Sequence, residues 1–229
     1  MHNRDRLRAG AAAMAPILIG IVPFGLIYGV AAVDAGLSAA QAIAMSSVVF
    51  AGSAQLAAVD LMSRDAAVVV IVATALVINA RHLMYSASLA PALGGLRLGR
   101  RLLTGYLLTD QAYAVSVVRY AGDSDSPAQR GSFFMGAAAA MWLTWQLASA
   151  VGVAVGTGIP ADWSLDFAIP LVFLALVLPT VGDRATAAAA LVAALVSLVA
   201  VDMPFHTGLL AAAAAGILGG LVVAKRVGS

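Results

Sequence analysis

Apolar runs of about twenty residues recur along this chain with only short polar breaks between them. A run of that length matches the hydrocarbon thickness of a bilayer, about 30 Å at 1.5 Å per helical residue. Of the 229 residues, 62% are hydrophobic and 10% charged, with a mean hydropathy of +0.97. A soluble domain is about 45–50% apolar and about 25% charged, because its surface must stay wet. The runs therefore predict an all-α, polytopic transmembrane helix bundle forming a single transmembrane domain over residues 1–229, with lipid as its solvent.

On the length criterion the candidate segments are Ala13–Val33, Ala40–Met62, Ala66–Leu89, Leu102–Val118, Phe133–Val155, Phe167–Val181, Ala185–Val201 and Thr207–Val223. That is seven to eight spans, some kinked or discontinuous, since Phe167–Val181 is short for a crossing. Arg4, Arg6 and Arg8 precede an apolar stretch as in a signal peptide, but its length and the segments that follow read as a retained first helix. Basic residues in short loops set orientation. Arg4, Arg6, Arg8, Arg64, the Arg119–Arg130 loop, Arg184, Lys225 and Arg226 share one side of an eight-span arrangement, which predicts cytoplasmic termini. Asp34, Asp162, Asp166 and Asp202 mark the other side. Arg97, Arg100 and Arg101 fall on the wrong side of that count, so either the bias is broken locally or a neighbouring segment does not span.

The residue inventory narrows the chemistry. There is no Cys and no Glu, and the net charge is +2. Disulfides and thiol chemistry are excluded, and scattered arginines with so small a charge argue against nucleic acid. His82 has no second His or acidic cluster at ligand spacing, so no metal site and no cofactor is expected.

Polar residues inside apolar runs carry the functional information, because they are costly there and face a bundle interior or an aqueous cavity. Ser46-Ser47 to Gln55 reads S-S-V-V-F-A-G-S-A-Q. Here Gly52 and Ser53 interrupt the helical pattern, and an unwound stretch offers backbone dipoles to a ligand; close helix packing by small residues is the alternative. Asn79-Ala80-Arg81-His82 follows a run too short to cross alone, which draws Arg81 into the segment. Arg81 then pairs with a substrate carboxylate or with Asp110, or else snorkels to the headgroups. Asp110, in Thr109-Asp110-Gln111, stands in the middle of its run and is a proton carrier or a salt-bridge partner.

Other features admit simpler readings. Trp163 suits a membrane interface, and Trp142 and Trp145 lie deeper with no assigned role. Pro16, Pro23, Pro91, Pro170 and Pro179 each remove a helix hydrogen bond, and Pro23-Phe24-Gly25 suggests a helix break near mid-membrane. The pairs Gly25/Gly29, Gly152/Gly156 and Gly216/Gly220 are packing surfaces.

Taken in order, P-F-G-L-I-Y-G at 23–29, S-S-V-V-F-A-G-S-A-Q-L at 46–56 and V-I-N-A-R-H-L-M-Y-S-A-S-L-A-P at 77–91 resemble the AzlC-like family. L-L-T-D-Q-A-Y-A at 107–114, W-L-T-W at 142–145 and L-D-F-A-I-P at 165–170 extend the likeness over nearly the whole chain. The resemblance implies the large subunit of a bacterial branched-chain amino-acid exporter in the cytoplasmic membrane. Its substrates would be valine, leucine, isoleucine and perhaps methionine, and its partner a small hydrophobic AzlD-type membrane subunit. Where the family carries an acid after the Thr-Asp pair, this chain has Gln111.

The working expectation is proton-coupled export by alternating access. Ser47, Gly52, Ser53, Gln55, Asn79 and Arg81 would bind substrate, Asp110 or His82 would carry the proton, and Pro23 and Gly25 would break the first helix. An intramembrane enzyme is the rival class, but Thr180 spoils the Gly-x-Gly-Asp pattern of membrane aspartyl proteases, and Ala51-Gly-Ser-Ala lacks the rhomboid Gly-x-Ser-Gly. A non-transporting scaffold subunit is a third, and it leaves the cost of Arg81 and Asp110 unexplained.

Overall fold

The structure is a computed structural model that describes residues 3–122, 125–158, 181–201, 203 and 207–227. The expected segment Phe167–Val181, apart from Val181, lies outside these residues, as do Trp163, Pro170 and Pro179. Among the described residues every regular element is a helix. They are α1 (Asn3–Asp34), α2 (Ala39–Val49), α3 (Gly52–Ser63), α4 (Val68–Asn79), α5 (Arg81–Leu93), α6 (Leu98–Tyr106), α7 (Asp110–Tyr120), α8 (Pro127–Gly156), α9 (Arg184–Val199) and α10 (Gly208–Val227). Among the described residues, four lengths are long and apolar enough to cross a membrane: α1, Val68–Leu93, α8 and Gly208–Arg226. The chain groups into two compact units, Met1–Gln55 with Ile78–Pro160, and Leu56–Val77 with Ala161–Ser229.

The first unit is built on α1 and α8, which lie side by side and run in the same direction. Glycine makes that approach possible. A Cβ on Gly25 would stand 2.7 Å from Ala148 Cβ, and Cβ atoms on Gly29 and Gly152 would collide with the backbones of Ser149 and Leu26. Gly10 and Gly136 face the backbones of Phe133 and Leu7 at the other end of the seam. Without water to drive helices together, backbone-to-backbone packing of this kind supplies the attraction. Met14, Tyr28, Phe134 and Trp145 fill the core around it. A buried ion pair, Arg6 to Asp125, ties the start of α1 to the loop before α8.

The expected break at Pro23 and Gly25 does not occur. α1 is helical throughout, with Pro16 and Pro23 inside it. A proline costs one backbone hydrogen bond, and a neighbouring helix supports the rest of the turn; Gly25 serves the α8 contact instead. The helix stops at Gly36, whose φ of +86° admits only glycine cheaply, and Leu37 N–H returns to the Ala32 carbonyl at 3.0 Å. Ser38 with Gln41 and Ser126 with Gln129 then open α2 and α8 as capping boxes.

Three expected spans are not single helices; Ala66–Leu89 is interrupted only at Ala80, between α4 and α5. Ala40–Met62 divides into α2 and α3 at Phe50–Ala51, and Leu102–Val118 divides into α6 and α7 at Leu107–Thr109. α6 has nine residues and α7 eleven, or about 14 and 16 Å, roughly half a bilayer each. Both outer ends of this pair lie beside the start of α8. Gly95 and Leu96 meet Pro127 and Gly131, and Tyr120 donates to the Arg130 carbonyl at 2.7 Å. The pair is thus a helical hairpin whose two outer ends lie together beside the start of α8. Arg97, Arg100 and Arg101 stand at the same end of the hairpin as Arg119, beside the start of α8.

The second unit contains the antiparallel hairpin of α9 and α10. Gly216 and Gly220 admit Ala193 and Ala189, whose Cβ atoms would lie 2.9 and 3.0 Å from added Cβ atoms. Asp183 caps α9 by accepting from Thr186 N–H at 2.7 Å, and that bond holds its carboxyl below the usual carboxylate range.

The glycine seam carries a prediction. Gly152→Val should force α1 and α8 apart at a cost of about 1–3 kcal/mol, read as a lowered Tm of the detergent-solubilised protein. Gly20→Val, with nothing within 4 Å of its Cβ, should leave Tm within about a degree, since exposed substitutions stay within about ±0.5 kcal/mol.

Candidate functional site

A helix that ends inside hydrocarbon leaves carbonyls and N–H groups that lipid cannot bond. At the end of α2 the chain turns through Phe50, which adopts the left-handed conformation with φ 39° and ψ 52°. For a bulky aromatic this is a strained turn, held by what surrounds it. Gln146 of α8 donates to the Ser46 carbonyl and accepts from Ser47 Oγ, both at 3.1 Å. The Tyr106 hydroxyl, at the inner tip of α6, donates to the Ser47 carbonyl and accepts from Trp142 Nε1 at 2.9 Å. On the far side of the turn, Gln55 Oε1 accepts from Ala51 N–H at 3.0 Å and caps α3.

The interruption is therefore one or two residues earlier than Gly52–Ser53, which form the first turn of α3. Gly52 is small because Phe24 and Trp145 close over it; a Cβ would lie 2.8 Å from each ring. Those two rings pack edge to face at 5.4 Å.

The second break is built differently. Leu107, Leu108 and Thr109 are buried, and Thr109 Oγ1 accepts from Ala112 N–H at 3.2 Å as the N-cap of α7. Asp110 follows at the first position of that helix, where a negative charge is favoured by the helix dipole.

Arg81 joins the two breaks. It opens α5 beyond a one-residue irregularity at Ala80, where the bond from Leu83 N–H to the Ala80 carbonyl is of the tighter i+3 kind. Its Nη2 donates to Ser53 Oγ at 2.8 Å and pairs with Asp110 Oδ2 at 3.1 Å. One guanidinium thus links the first turn of α3 with the first turn of α7. Both helix starts are positive dipole ends, so the cluster is a natural seat for an anionic group beside a single carboxylate. The pair is 35% and 37% exposed in its side chains, so it is reachable.

Tyr85, one turn along α5 from Arg81, stacks on Tyr113 at 4.3 Å, and Tyr113 donates to Ser88 Oγ at 3.1 Å. His82 stands against the Tyr85 ring at 5.9 Å, within electrostatic reach of Arg81 and Asp110.

Of the residues expected from sequence, the structure brings Ser53, Arg81 and Asp110 into direct contact, with His82 beside them. Ser47 and Gln55 sit at the first break with their side chains engaged in holding it. Asn79 precedes Arg81 and its Oδ1 is buried without a hydrogen-bond partner. Tyr106, Trp142 and Gln146 were missed as parts of the site. Gln146 was detectable as an amide inside an apolar run; nothing local marks Tyr106. Thr109-Asp110 carried an unread signal, since a Thr cap followed by an acid is a helix-start pattern.

Apolar helices that stop and restart at mid-length, with a charged pair between their ends, define the class of polytopic membrane proteins built on discontinuous helices. The AzlC protein family profile matches residues 16–159, more than half the chain, and the chain belongs to that family. It is 30% identical over 231 residues to an uncharacterized membrane protein of Archaeoglobus fulgidus, covering 95% of this chain and 97% of that one. It is 24% identical over 217 residues to inner membrane protein YgaZ of Escherichia coli, covering 91% and 87%. Against the branched-chain amino acid transport protein AzlC of Bacillus subtilis, identity is 25% over 162 residues, covering 70% and 62%. No solved structure matches. Together the family and these relatives support a role in membrane transport.

The donors at the α2 terminus are testable. Tyr106→Phe strips the Ser47 carbonyl of its donor and should cost about 1–3 kcal/mol, read as a lower Tm. Because Trp142 acts on the same hydroxyl, Tyr106→Phe with Trp142→Phe should cost less than the sum of the single changes; additive losses would dissociate the two.

Proposed function

We propose that this chain is the large, substrate-translocating subunit of a branched-chain amino-acid exporter of the bacterial cytoplasmic membrane. It would work by proton-coupled alternating access as a single transporter domain over residues 1–229, together with a small hydrophobic AzlD-type subunit. The observation that carries the reading is the Arg81–Asp110 pair with Ser53 at the restarts of two broken helices. Such breaks expose backbone dipoles at mid-membrane without exposing them to lipid. The branched-chain amino acid transport protein of Bacillus subtilis, to which this chain is similar, suggests the substrate class.

In this reading Ser53, Gly52 and Arg81 receive the polar head of the substrate. Ser47, Gln55 and Asn79 border that place. Asp110 carries the coupling proton, with His82 as its neighbour. Apolar walls select the side chain by volume, and one methylene discriminates by only about 1–3 kcal/mol, so valine, leucine, isoleucine and methionine would share the path. The end bearing Arg6, Arg97, Arg100, Arg101, Arg119 and Arg130 faces the cytoplasm by the positive-inside rule, which places the N-terminus there. The basic Lys225 and Arg226 favour the same side for the C-terminus.

The test is efflux of radiolabelled leucine from cells co-expressing this chain and its small hydrophobic partner, with and without a proton gradient. Wild type should accelerate efflux in a gradient-dependent way. Asp110→Asn should reach the membrane in equal amount and lose the gradient-driven component, a drop of about tenfold or more. Gradient-driven efflux that persists in Asp110→Asn would remove the carboxylate from the mechanism.

A further inference from the structure

Arg81 and Asp110 are held in a contact weaker than the two groups can form. One nitrogen, Nη2, serves both Ser53 Oγ at 2.8 Å and Asp110 Oδ2 at 3.1 Å. Arg81 Nε is buried with no hydrogen-bond partner. No hydrogen bond of normal geometry reaches Asp110 Oδ1, although the Tyr85 phenol is close enough to feel the carboxylate. A guanidinium and a carboxylate that meet freely form a two-bond fork, which is shorter and stronger. A part-exposed single contact of this kind contributes little, about 0–1 kcal/mol. The pair is therefore complete in charge and incomplete in bonding.

We infer that the pair is a mould for a zwitterion, closing on itself when empty and opening to admit one α-amino acid between its members. The incoming carboxylate takes the Arg81 fork, including the unpartnered Nε. Ser53, which accepts from Arg81, has its own hydroxyl proton to donate to the same carboxylate. Asp110, released from Arg81 and ionised once its coupling proton has left, takes the ammonium group, so proton and substrate occupy it in turn. In an α-amino acid the two charged groups sit on one carbon, so they are matched to partners that already touch.

Charge balance makes the site selective for both groups together. Empty, the pair is neutral; with a zwitterion inserted it is neutral again, each charge paired. A 2-oxo acid would leave Asp110 unpaired, and an amine would leave Arg81 unpaired. An unpaired charge within a membrane protein is costly. The inference rests on the transport reading above but specifies the head group, not the side chain.

The experiment uses the full-length protein co-purified with its small hydrophobic partner in lipid nanodiscs and measures binding by isothermal titration. The probes are L-leucine, 4-methyl-2-oxopentanoate, which lacks the ammonium, and 3-methylbutylamine, which lacks the carboxylate. Glycine, L-alanine and L-phenylalanine complete the set. Wild type should bind leucine and bind each one-charge analogue on the order of a hundredfold more weakly, because the bound molecule covers both groups and leaves the unmatched one desolvated without a partner. Asp110→Asn should lose the preference for leucine over the oxo acid, to within about threefold, while Arg81→Gln should lose the preference for leucine over the amine.

Wild-type affinity for either analogue equal to that for leucine would overturn the inference without any variant. So would a preference over the oxo acid that survives Asp110→Asn. If leucine does not bind but another amino acid of the set does, with that amino acid's own two analogues rejected, the branched-chain reading falls and the mould stands. If no amino acid binds, both fall.

Discussion

Backbone polarity inside hydrocarbon has to be bonded within the protein, and among the described residues two apolar segments break, at Phe50–Ala51 and at Leu107–Thr109. The terminus of α2 is tolerable because Gln146 and Tyr106 bring donors to the carbonyls of Ser46 and Ser47, while Gln55 accepts from the orphan N–H of Ala51. These donors come from α8 and α6, so the break exists only when distant parts of the chain are assembled around it. Phe50 in its left-handed conformation is held by the same surroundings. The irregular backbone, and with it the place of Ser53 and Arg81, depends on this set of bonds.

The seam between α1 and α8 gives that set something rigid to stand on. Gly25, Gly29 and Gly152 let two long helices touch through their backbones, and Trp145 then reaches both Phe24 and Tyr28 with its ring. Tyr28 donates in turn to the Ala42 carbonyl at 2.8 Å and fixes α2 against α1. Trp142 and Gln146 project from the same α8, so packing and hydrogen bonding at the break share one scaffold. A helix on a fixed neighbour can present polar groups at a set depth, which a loop in lipid cannot.

The α6–α7 hairpin has two consequences for the site. It places Asp110 at a helix start facing Arg81, and it returns the chain to the end from which it came. Half-length helices are poor spans but good carriers of a dipole to mid-membrane.

Much of the site was legible. Arg81 and Asp110 stood out because ionisable groups in apolar runs are costly, and the two meet. The Gly-x-x-x-Gly spacing marked the seam, though not which helices it would join. Pro23 misled, because a missing hydrogen bond permits a break but does not compel one when α8 supports the turn. The hairpin was hidden because Leu107-Leu108 continues the apolar run and hydropathy cannot see a change of direction.

By itself, then, the sequence determined the solvent, the helical class and the identity of the charged residues, since these follow from composition and from the length of apolar runs. Only the tertiary structure decided where the helices break and which polar groups meet. Those outcomes depend on donors arriving from segments about a hundred residues away, such as Gln146 at Ser46, and no local pattern encodes a partner at that distance.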